Sequence, residues 1–556
     1  MPTFAFSSPS SSLRRPEPEF RPRMLTDLLD HAVATWPDRV AIDFLGRTWT
    51  YKAIGKLVDH AARGLQDRGL KPGDRFGLCL PNCPYFVVLY FAALRAGAIV
   101  VQFNPLYTEQ ELDHQIRDSG TRMIAVPDLG VIHGKVQAVA SAAGIEQIVL
   151  CGMADMLPTV QAIGFLVFKR KDHAHVADES HTIRLRALLS NHAAPDPVAR
   201  DPHDVAVLQY TGGTTGTPKG AMLTHANLAG NSAQMLVHVG GRKPHQERTL
   251  GVLPMFHVFA LTTVLNFSVE IGAEMVLLPR FNMAQVLATM KRKPPTQFFG
   301  VPTIYAAMNE LPKSQIPDLS RVRACISGGA PLPLDIRETF ERRTGARVVE
   351  GYGLSESSPI IACNPLDGLV KNDSCGPRFP GTTLEIRDPA EPHDILPTGE
   401  RGEVCARGPQ IMKGYWRKPA ETEAVFVDGA LRTGDIGYLD ADGYLFLVDR
   451  IKDVILCGGY NVYPRMIEDA AYQHPAIKEA IAIAIPDGYR GQSPKLFVAL
   501  HEGMSVTIPE LKAFLEERVS KIEVPKAFEI RESLPKTLIG KLSKKELVEE
   551  ERVRRA

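Results

Sequence analysis

Apolar positions along the chain switch repeatedly between a helical and an extended period. Ile54, Leu57, Val58, Ala61 and Leu65 recur at three- and four-residue spacing, and Gly69 stands where that helix must end. Phe76-Gly-Leu-Cys-Leu80 follows as a buried strand. Pro84-Tyr-Phe-Val-Val-Leu-Tyr-Phe-Ala-Ala-Leu94 continues apolar toward Ala98-Ile-Val-Val101, but Gly97 interrupts it after about three turns, short of the ~30 Å of hydrocarbon that a membrane span must cross. The run therefore predicts a buried helix and strand. Thr108 and Glu111 form a capping box for a helix ending near Gly120, before the strand Met123-Ile-Ala-Val126. This alternation over 24–200 predicts a doubly wound layer.

A second alternating set spans 249–350, with strands at Leu250-Gly-Val-Leu253, Met275-Val-Leu-Leu278, Gln297-Phe-Phe299, Cys325-Ile326 and Val348-Val349. From 375 to 447 the pattern shortens into runs broken by Gly, Asp and Pro, a β-rich region. After Arg450 it reads as a compact α+β unit, with a helix from Pro464, strands at 480–485 and 496–500, and a helix capped by Thr507 and Glu510. The charged end from Lys544 predicts a solvated helix face. Residues 1–23, rich in Ser and Pro with no apolar run behind them, predict a disordered leader. The signal fades over 140–194. There, Phe165-Leu-Val-Phe-Lys-Arg-Lys171 is expected to be a loop with one end partly buried, the alternative being a segment that rests on a membrane surface or an oily substrate.

Composition narrows the partners. With 64 basic and 63 acidic residues among 556, the net charge of +1 creates no general field for nucleic acid or anionic membranes, leaving at most peripheral membrane contact. Bound anions must be held locally. Eight cysteines without metal-ligand spacing predict reduced thiols in a cytoplasmic protein.

The candidate anion site is Tyr210-Thr-Gly-Gly-Thr-Thr-Gly-Thr-Pro-Lys-Gly220. Thr211, Gly212, Gly213, Thr214, Thr215, Gly216 and Thr217 allow a tight fold that directs amides and hydroxyls at one phosphate group. A nucleotide-binding P-loop starts a helix at its lysine and follows it with a metal-binding hydroxyl. Pro218 before Lys219 and Gly220 after it exclude both, so apolar runs on either side predict a hairpin with the loop at its tip.

Four further segments carry matching chemistry. Gly328-Gly-Ala-Pro-Leu332 lets backbone approach a flat ring. In Glu350-Gly-Tyr-Gly-Leu-Ser-Glu-Ser357, Tyr352 offers a face to a base and Glu356 an oxygen ligand for Mg²⁺. Asp435 suits two vicinal ribose hydroxyls, and Arg450 adds a charge-assisted donor.

Together these motifs closely resemble the adenylate-forming superfamily, specifically its acyl-CoA synthetases, over nearly the whole chain. The resemblance implies an α/β multidomain fold. A large N-terminal domain (24–449) would hold two stacked βαβαβ layers and a distorted β region, and a small mobile α+β domain (454–556) would follow a hinge at 450–453 centred on Lys452. It implies two half-reactions: a carboxylic acid and Mg·ATP give an acyl-adenylate and pyrophosphate, then CoA takes the acyl group and AMP leaves. It assigns Thr211 to Lys219 to the β,γ-phosphates, Gly328, Gly329, Ala330, Gly351, Tyr352 and Gly353 to the adenine side, Ser355 to phosphate contact and Glu356 to Mg²⁺. Asp435 and Arg450 fall to the ribose, and Lys541 to the bridge between substrate carboxylate and α-phosphate. Gly458, Gly459 and Tyr460 resemble the strip beside the CoA channel. A lysine acetyltransferase and deacetylase acting on Lys541, and a homodimer, are the partners the resemblance allows.

Pro254-Met-Phe-His-Val-Phe-Ala-Leu261 resembles the acyl-pocket motif, with His257 near the carboxylate and Phe256, Val258, Phe298 and Val301 as apolar lining. Acetate-activating relatives place a bulky tryptophan at the position of Gly353. Glycine there implies an open tunnel and a medium- or long-chain fatty acid, with aromatic and dicarboxylic acids as alternatives. A carrier protein or oxidative chemistry in place of CoA is the rival within the superfamily, and a non-catalytic lipid or nucleotide sensor the rival outside it.

Overall fold

The computed structural model describes residues 18–169, 172–174, 181–211, 218–240, 247–457, 460–536 and 542–555. Among these residues the strands form four sheets. The first has seven strands in the order Thr182–Arg184, Gln147–Cys151, Thr121–Pro127, Arg75–Leu78, Ile99–Gln102, Val205–Thr211, Lys219–Thr224, parallel except for the last pair. The second has eight, ordered Ile360–Cys363, Val349–Gly353, Ala324–Ser327, Gln297–Gly300, Arg248–Gly251, Glu274–Leu277, Val40–Phe44, Arg47–Thr50. The last two come from the start of the chain and had been expected in the first layer. Their register is set by parallel pairing of Ile42 with Met275.

The two layers share one core, in which Phe86, Val87 and Phe91 of the helix Pro84–Arg95 lie with Leu250, Met275 and Phe298 of the second sheet. That helix is buried around its whole circumference, which is why its sequence lacks a polar stripe. No helix among the described residues is long and apolar enough to cross a membrane. All eight cysteines are buried free thiols.

Polar contacts fix the layers relative to each other. Asn82, buried in the loop after the strand Arg75–Leu78, donates through Nδ2 to the Gly251 and Leu253 carbonyls (3.2 and 2.7 Å) and accepts from the Met255 amide (2.7 Å). Gln209 adds an Nε2 bond to the Phe256 carbonyl at 3.1 Å. Two amides of the first sheet thus place the chain where it leaves the second.

The expected β-rich region is a six-stranded antiparallel sheet made by Gly376–Pro377, Tyr444–Arg450, Ala430–Leu439, Gly402–Arg407 and Thr383–Arg387, with Phe426–Val427 beside Ala430–Leu439. The α+β unit holds five strands, dominated by the long pair Ile477–Asp487 and Gly491–Leu500, with its own core around Ile467, Ala482 and Leu496. Between the two stands a single 3₁₀ turn, Ile451–Asp453.

Three expectations are corrected. Residues 1–17 lie outside the described residues, but the leader is attached before residue 24. Arg23 pairs with Glu270 at 2.8 Å, and the Phe20 ring fills the space beside Gly381. The segment at 165–171 is not a loop as far as it is described, because Thr159–Phe168 is a helix. The C-terminal helix Lys544–Arg555 is not simply solvated. Leu547 is fully buried, and Glu551 accepts from Lys495 Nζ at 2.7 Å.

Replacing Asn82 by Ala would strand two carbonyls and an amide in the core, and should cost about 3 kcal/mol at the usual penalty for unsatisfied buried groups. Chemical denaturation of the variant should show the large domain unfolding earlier. An unchanged midpoint would mean that the layers are held by packing alone.

Candidate active site

The hairpin forms as expected, with Thr211 paired to Lys219 across its tip. Gly212, Gly213, Thr214, Thr215, Gly216 and Thr217 lie outside the described residues, so what is visible is the base that aims them. Tyr210 anchors that base by donating to Asp118 Oδ2 at 2.5 Å. A side chain at Gly220 would press on its ring, only 3.1 Å from a Cβ there.

A strip of backbone that sequence reasoning missed lies along the hairpin. Met222 N bonds the Gly414 carbonyl (2.8 Å), Lys413 N the Met222 carbonyl (2.9 Å) and Trp416 N the Gly220 carbonyl (2.8 Å). The same strip reaches Glu356: Met412 N donates to its carbonyl, and the Tyr415 hydroxyl donates to Oε1, both at 2.8 Å. Lys219 Nζ lies 5.2 Å from the centre of the Tyr415 ring. Nothing in Met412-Lys-Gly-Tyr-Trp416 announces this, because the strip works mainly through backbone.

Ser355 and Glu356 sit on the 3₁₀ turn Ser355–Ser357. Burial raises the Glu356 carboxyl above its ordinary pKa, and the Tyr415 hydroxyl opposes that shift. Gly353 lies just before the turn for a steric reason. A Cβ there would stand 1.9 Å from the Pro359 carbonyl oxygen, so backbone alone demands glycine whatever the width of a tunnel.

On the nucleotide side, Gly329 has φ +83°. A Cβ on Gly328 would be 3.1 Å from the Phe259 ring, and one on Gly351 3.2 Å from Ile326. The acyl-motif and adenine-motif segments therefore touch at Gly328, with Ala330 two residues beyond. Tyr352 donates to Asp435 Oδ2 at 2.5 Å, and Arg450 Nε is 3.3 Å from Oδ1. Asp435 and Arg450 are direct cross-strand partners. Burial works against the Arg450 charge, but Asp435 and Asp453 more than offset it and hold its pKa above the ordinary value. Glu403, which the sequence did not flag, shapes the turn below by accepting from Gly434 N at 3.1 Å and pairing with Arg432 at 2.7 Å.

His257 accepts from Phe259 N at Nδ1 (3.3 Å), which places the proton of the neutral ring on Nε2. Val258, Phe298 and Val301 are buried, and Phe256 is half-buried. The α+β unit carries the remaining candidates. Gly458, Gly459 and Lys541 lie outside the described residues, and Tyr460 is exposed. The base of the segment bearing Lys541 is fixed by a bridge between Lys536 and Leu542 and by Lys536 with Glu479 at 2.5 Å.

The linker beside Lys452 is bounded by ionic contacts. Asp449 Oδ2 accepts from Arg465 N at 2.7 Å, and Lys544 Nζ lies 3.2 Å from Glu468 and 3.9 Å from Asp453.

The hairpin base, the turn bearing Glu356 and the Asp435–Arg450 pair come from three sheets, with a smaller α+β unit following the strand Tyr444–Arg450, and this is the fold of an adenylate-forming enzyme. The chain belongs to the AMP-binding enzyme family, whose model matches residues 29–416, and the model of the family's C-terminal domain matches 466–541. Among its relatives, the long-chain-fatty-acid–CoA ligase of Bacillus subtilis (strain 168) is 42% identical over 95% of each chain. The ligase of that name from Escherichia coli O6:H1 is 35% identical over 96% of this chain and 95% of its own. The ATP-bound crystal structure of MatB from Rhodopseudomonas palustris, 29% identical, superposes with a TM-score of 0.83 over 94% of this chain and 98% of that one. The apo form of the same protein reaches 0.74 over the same coverage.

Gly353→Ala should destabilise the protein by about 1–3 kcal/mol through forced backbone displacement. Gly134→Ala, in a helix with nothing within 4 Å of the added carbon, should be neutral or stabilising. Thermal unfolding of the two variants checks the contrast, and equal midpoints would remove the steric account of Gly353.

Proposed function

We propose that this chain is an AMP-forming fatty-acid–CoA ligase acting on medium- or long-chain acids. The end-to-end likeness to the B. subtilis ligase carries this reading. In the first half-reaction a carboxylate oxygen of the acid bonds to the α-phosphorus of ATP as the bond from that phosphorus to the bridging oxygen breaks, and pyrophosphate leaves. In the second, the CoA sulfur bonds to the acyl carbon, the carbon–oxygen bond to AMP breaks, and the thioester leaves.

Each described residue has a part. Asp435, steadied by Tyr352 and Arg450, accepts from the ribose hydroxyls. Gly328, Gly329 and Ala330 leave a backbone surface for adenine. Lys219 and the hairpin loop hold the outer phosphates. Glu356 would hold Mg²⁺: Oε1 accepts the hydrogen bond from the Tyr415 hydroxyl while the carboxylate keeps oxygen lone pairs for a hard cation. When bound, the ion would neutralise phosphate charge. His257 presents an Nε2–H donor toward the acid, and Phe256, Val258, Phe298 and Val301 receive its chain, where each buried methylene contributes about 0.8 kcal/mol.

Lys541 supplies a fixed cation as negative charge gathers on the α-phosphoryl oxygens, which stabilises the transition state more than the ground state. Its segment belongs to the small domain, so that domain closes for adenylation and turns about Lys452 to admit CoA beside Gly458, Gly459 and Tyr460. The better match to ATP-bound than to apo MatB supports an arrangement near the adenylating one.

A panel of acids from acetate upward, read by AMP and pyrophosphate release with and without CoA, tests the assignment. Activity should rise with chain length. Lys541→Ala should lose about 10²–10³-fold in pyrophosphate release, whereas Lys452→Pro should keep that step and lose thioester formation. ADP as product would overturn the reading, and equal loss of both steps in Lys452→Pro would overturn the hinge.

The Tyr415 hydroxyl stabilises the charged form of Glu356, so Tyr415→Phe raises the carboxyl's pKa further while keeping a ring under Lys219. If the carboxylate is the active form, the acid limb of the pyrophosphate-exchange rate should move to higher pH in the variant. An unmoved or lowered limb would separate Glu356 from the ionisation that limits the rate.

A further inference from the structure

Trp416, the last residue of the strip along the hairpin, is flanked by two arginines from distant parts of the chain. Arg75 opens the strand Arg75–Leu78, and its guanidinium carbon lies 5.9 Å from the centre of the indole ring; that of Arg417 lies at 5.4 Å. The two side chains converge at Gly120, which ends the helix Glu109–Ser119 with φ +67°. A Cβ there would stand 2.9 Å from Arg75 Nη2 and 3.6 Å from Arg417 Nη2, so two like charges share one small space.

The donors in that space lack acceptors. Arg75 directs Nε at the Ser119 carbonyl (3.0 Å) and Nη1 at the Gly73 carbonyl (3.1 Å), which leaves Nη2 unused. Arg417 makes no hydrogen bond or ion pair among the described residues. Trp416 Nε1 is buried and has no acceptor among them either. The acids nearby are engaged elsewhere. Asp118 accepts from the Tyr210 hydroxyl at 2.5 Å, while Asp74 and Glu146 pair with Arg122 at 2.6 and 2.7 Å. Burial lowers the Arg75 pKa; Asp74 opposes that shift, and the charges of Arg417 and Arg122 add to it. Arg417 also holds φ +53°, a left-handed conformation uncommon outside glycine.

We propose that Arg75, Arg417 and Trp416 form a second anion site, built from residues other than those assigned to ATP, that takes one phosphate group. Two guanidinium donors and an indole N–H with no acceptor among them suit a ligand rich in acceptors. A phosphate spreads its oxygens over a tetrahedron and so meets donors from three directions at about 2.8 Å each, which a flat carboxylate does not. The site is open to solvent, since Arg417 is exposed and Arg75, Trp416 and Gly120 are half-buried. Its occupancy bears on the hairpin. Trp416 N bonds the Gly220 carbonyl, beside Lys219, and Arg417 comes next, so a phosphate bridging Arg417 to Arg75 pins the strip to the first sheet. Inorganic phosphate and the pyrophosphate released in the proposed reaction both carry this group. Only the second source depends on that reaction.

The test is calorimetric titration of inorganic phosphate, and separately of pyrophosphate, into the full chain with saturating ATP and no acid. Chloride at equal ionic strength is the control. ATP fills the hairpin, so the titration reads binding elsewhere and without turnover. One equivalent of phosphate should bind, and Arg417→Gln should weaken it by at least about tenfold. Arg417→Lys, which keeps the charge and loses the fork, should fall between. Added phosphate should raise the thermal midpoint of the parent and leave that of Arg417→Gln in place. Tighter binding of pyrophosphate would assign the site to the reaction's own product, and equal affinity would assign it to free phosphate. No binding of either anion, or equal binding by Arg417→Gln, would overturn the site. A chain that bound no ATP would sink the proposed function, while the comparison of parent and variant would still decide this site.

Discussion

The strip 412–416 is the contact on which the rest of the site depends. It hydrogen-bonds to Gly220 and Met222 of the hairpin on one side and to Glu356 on the other, joining an edge strand of the first sheet to a turn at the edge of the second. Most of its bonds are backbone to backbone, so they fix position without adding charge. That matters beside a buried carboxylate, because each added fixed charge must be matched. The one ionisable side chain the strip brings to Glu356 is a tyrosine whose own ionisation burial pushes far out of range, so it acts as a dependable donor.

The strand Tyr444–Arg450 serves two ends of the molecule. Arg450 faces Asp435 across the sheet, while Asp449, one residue earlier, accepts the Arg465 amide at the start of the helix Pro464–Tyr472. Neighbouring residues on a strand point to opposite faces. The contact to Asp435 and the contact to the α+β unit are therefore adjacent in sequence and back to back in space.

Much of this was legible in the sequence, and the parts that were not share a cause. Periodicity located the helix Pro84–Arg95, the capping boxes at Thr108 and Thr507, and the hairpin, because each is decided by residues close together in the chain. Asp435 and Arg450, which only the resemblance had linked, stand directly opposite each other across two strands. Periodicity could not show that Val40–Phe44 crosses to the second sheet, since its partner Glu274–Leu277 lies more than two hundred residues away. Asn82, Glu403 and Tyr415 were invisible for a related reason. Each matters for what it bonds across the fold, and an isolated Asn, Glu or Tyr has no local pattern. Gly353 was noticed as a residue type, but its steric need was not legible, because the Pro359 carbonyl that crowds it is brought there by the fold.

The two apolar helices make the same point energetically. Pro84–Arg95 and Thr159–Phe168 both read as oily segments, and hydropathy alone ranks the exposed second helix as the more apolar. The first is enclosed because strands flank it on both sides in sequence and deliver it between the two sheets, where Phe86 and Leu89 find partners in the shared core. The second follows the outer part of the first sheet, past Gln147–Cys151, with only the short edge strand Thr182–Arg184 still to come. Two of its residues suffice to cover what remains there. The fold has no further surface to offer Val160, Ile163, Leu166, Val167 and Phe168, so their exposure follows from the topology. A fold keeps such a ridge at some cost in aggregation, and a segment that only had to cover the sheet edge could have carried polar residues on its outer face.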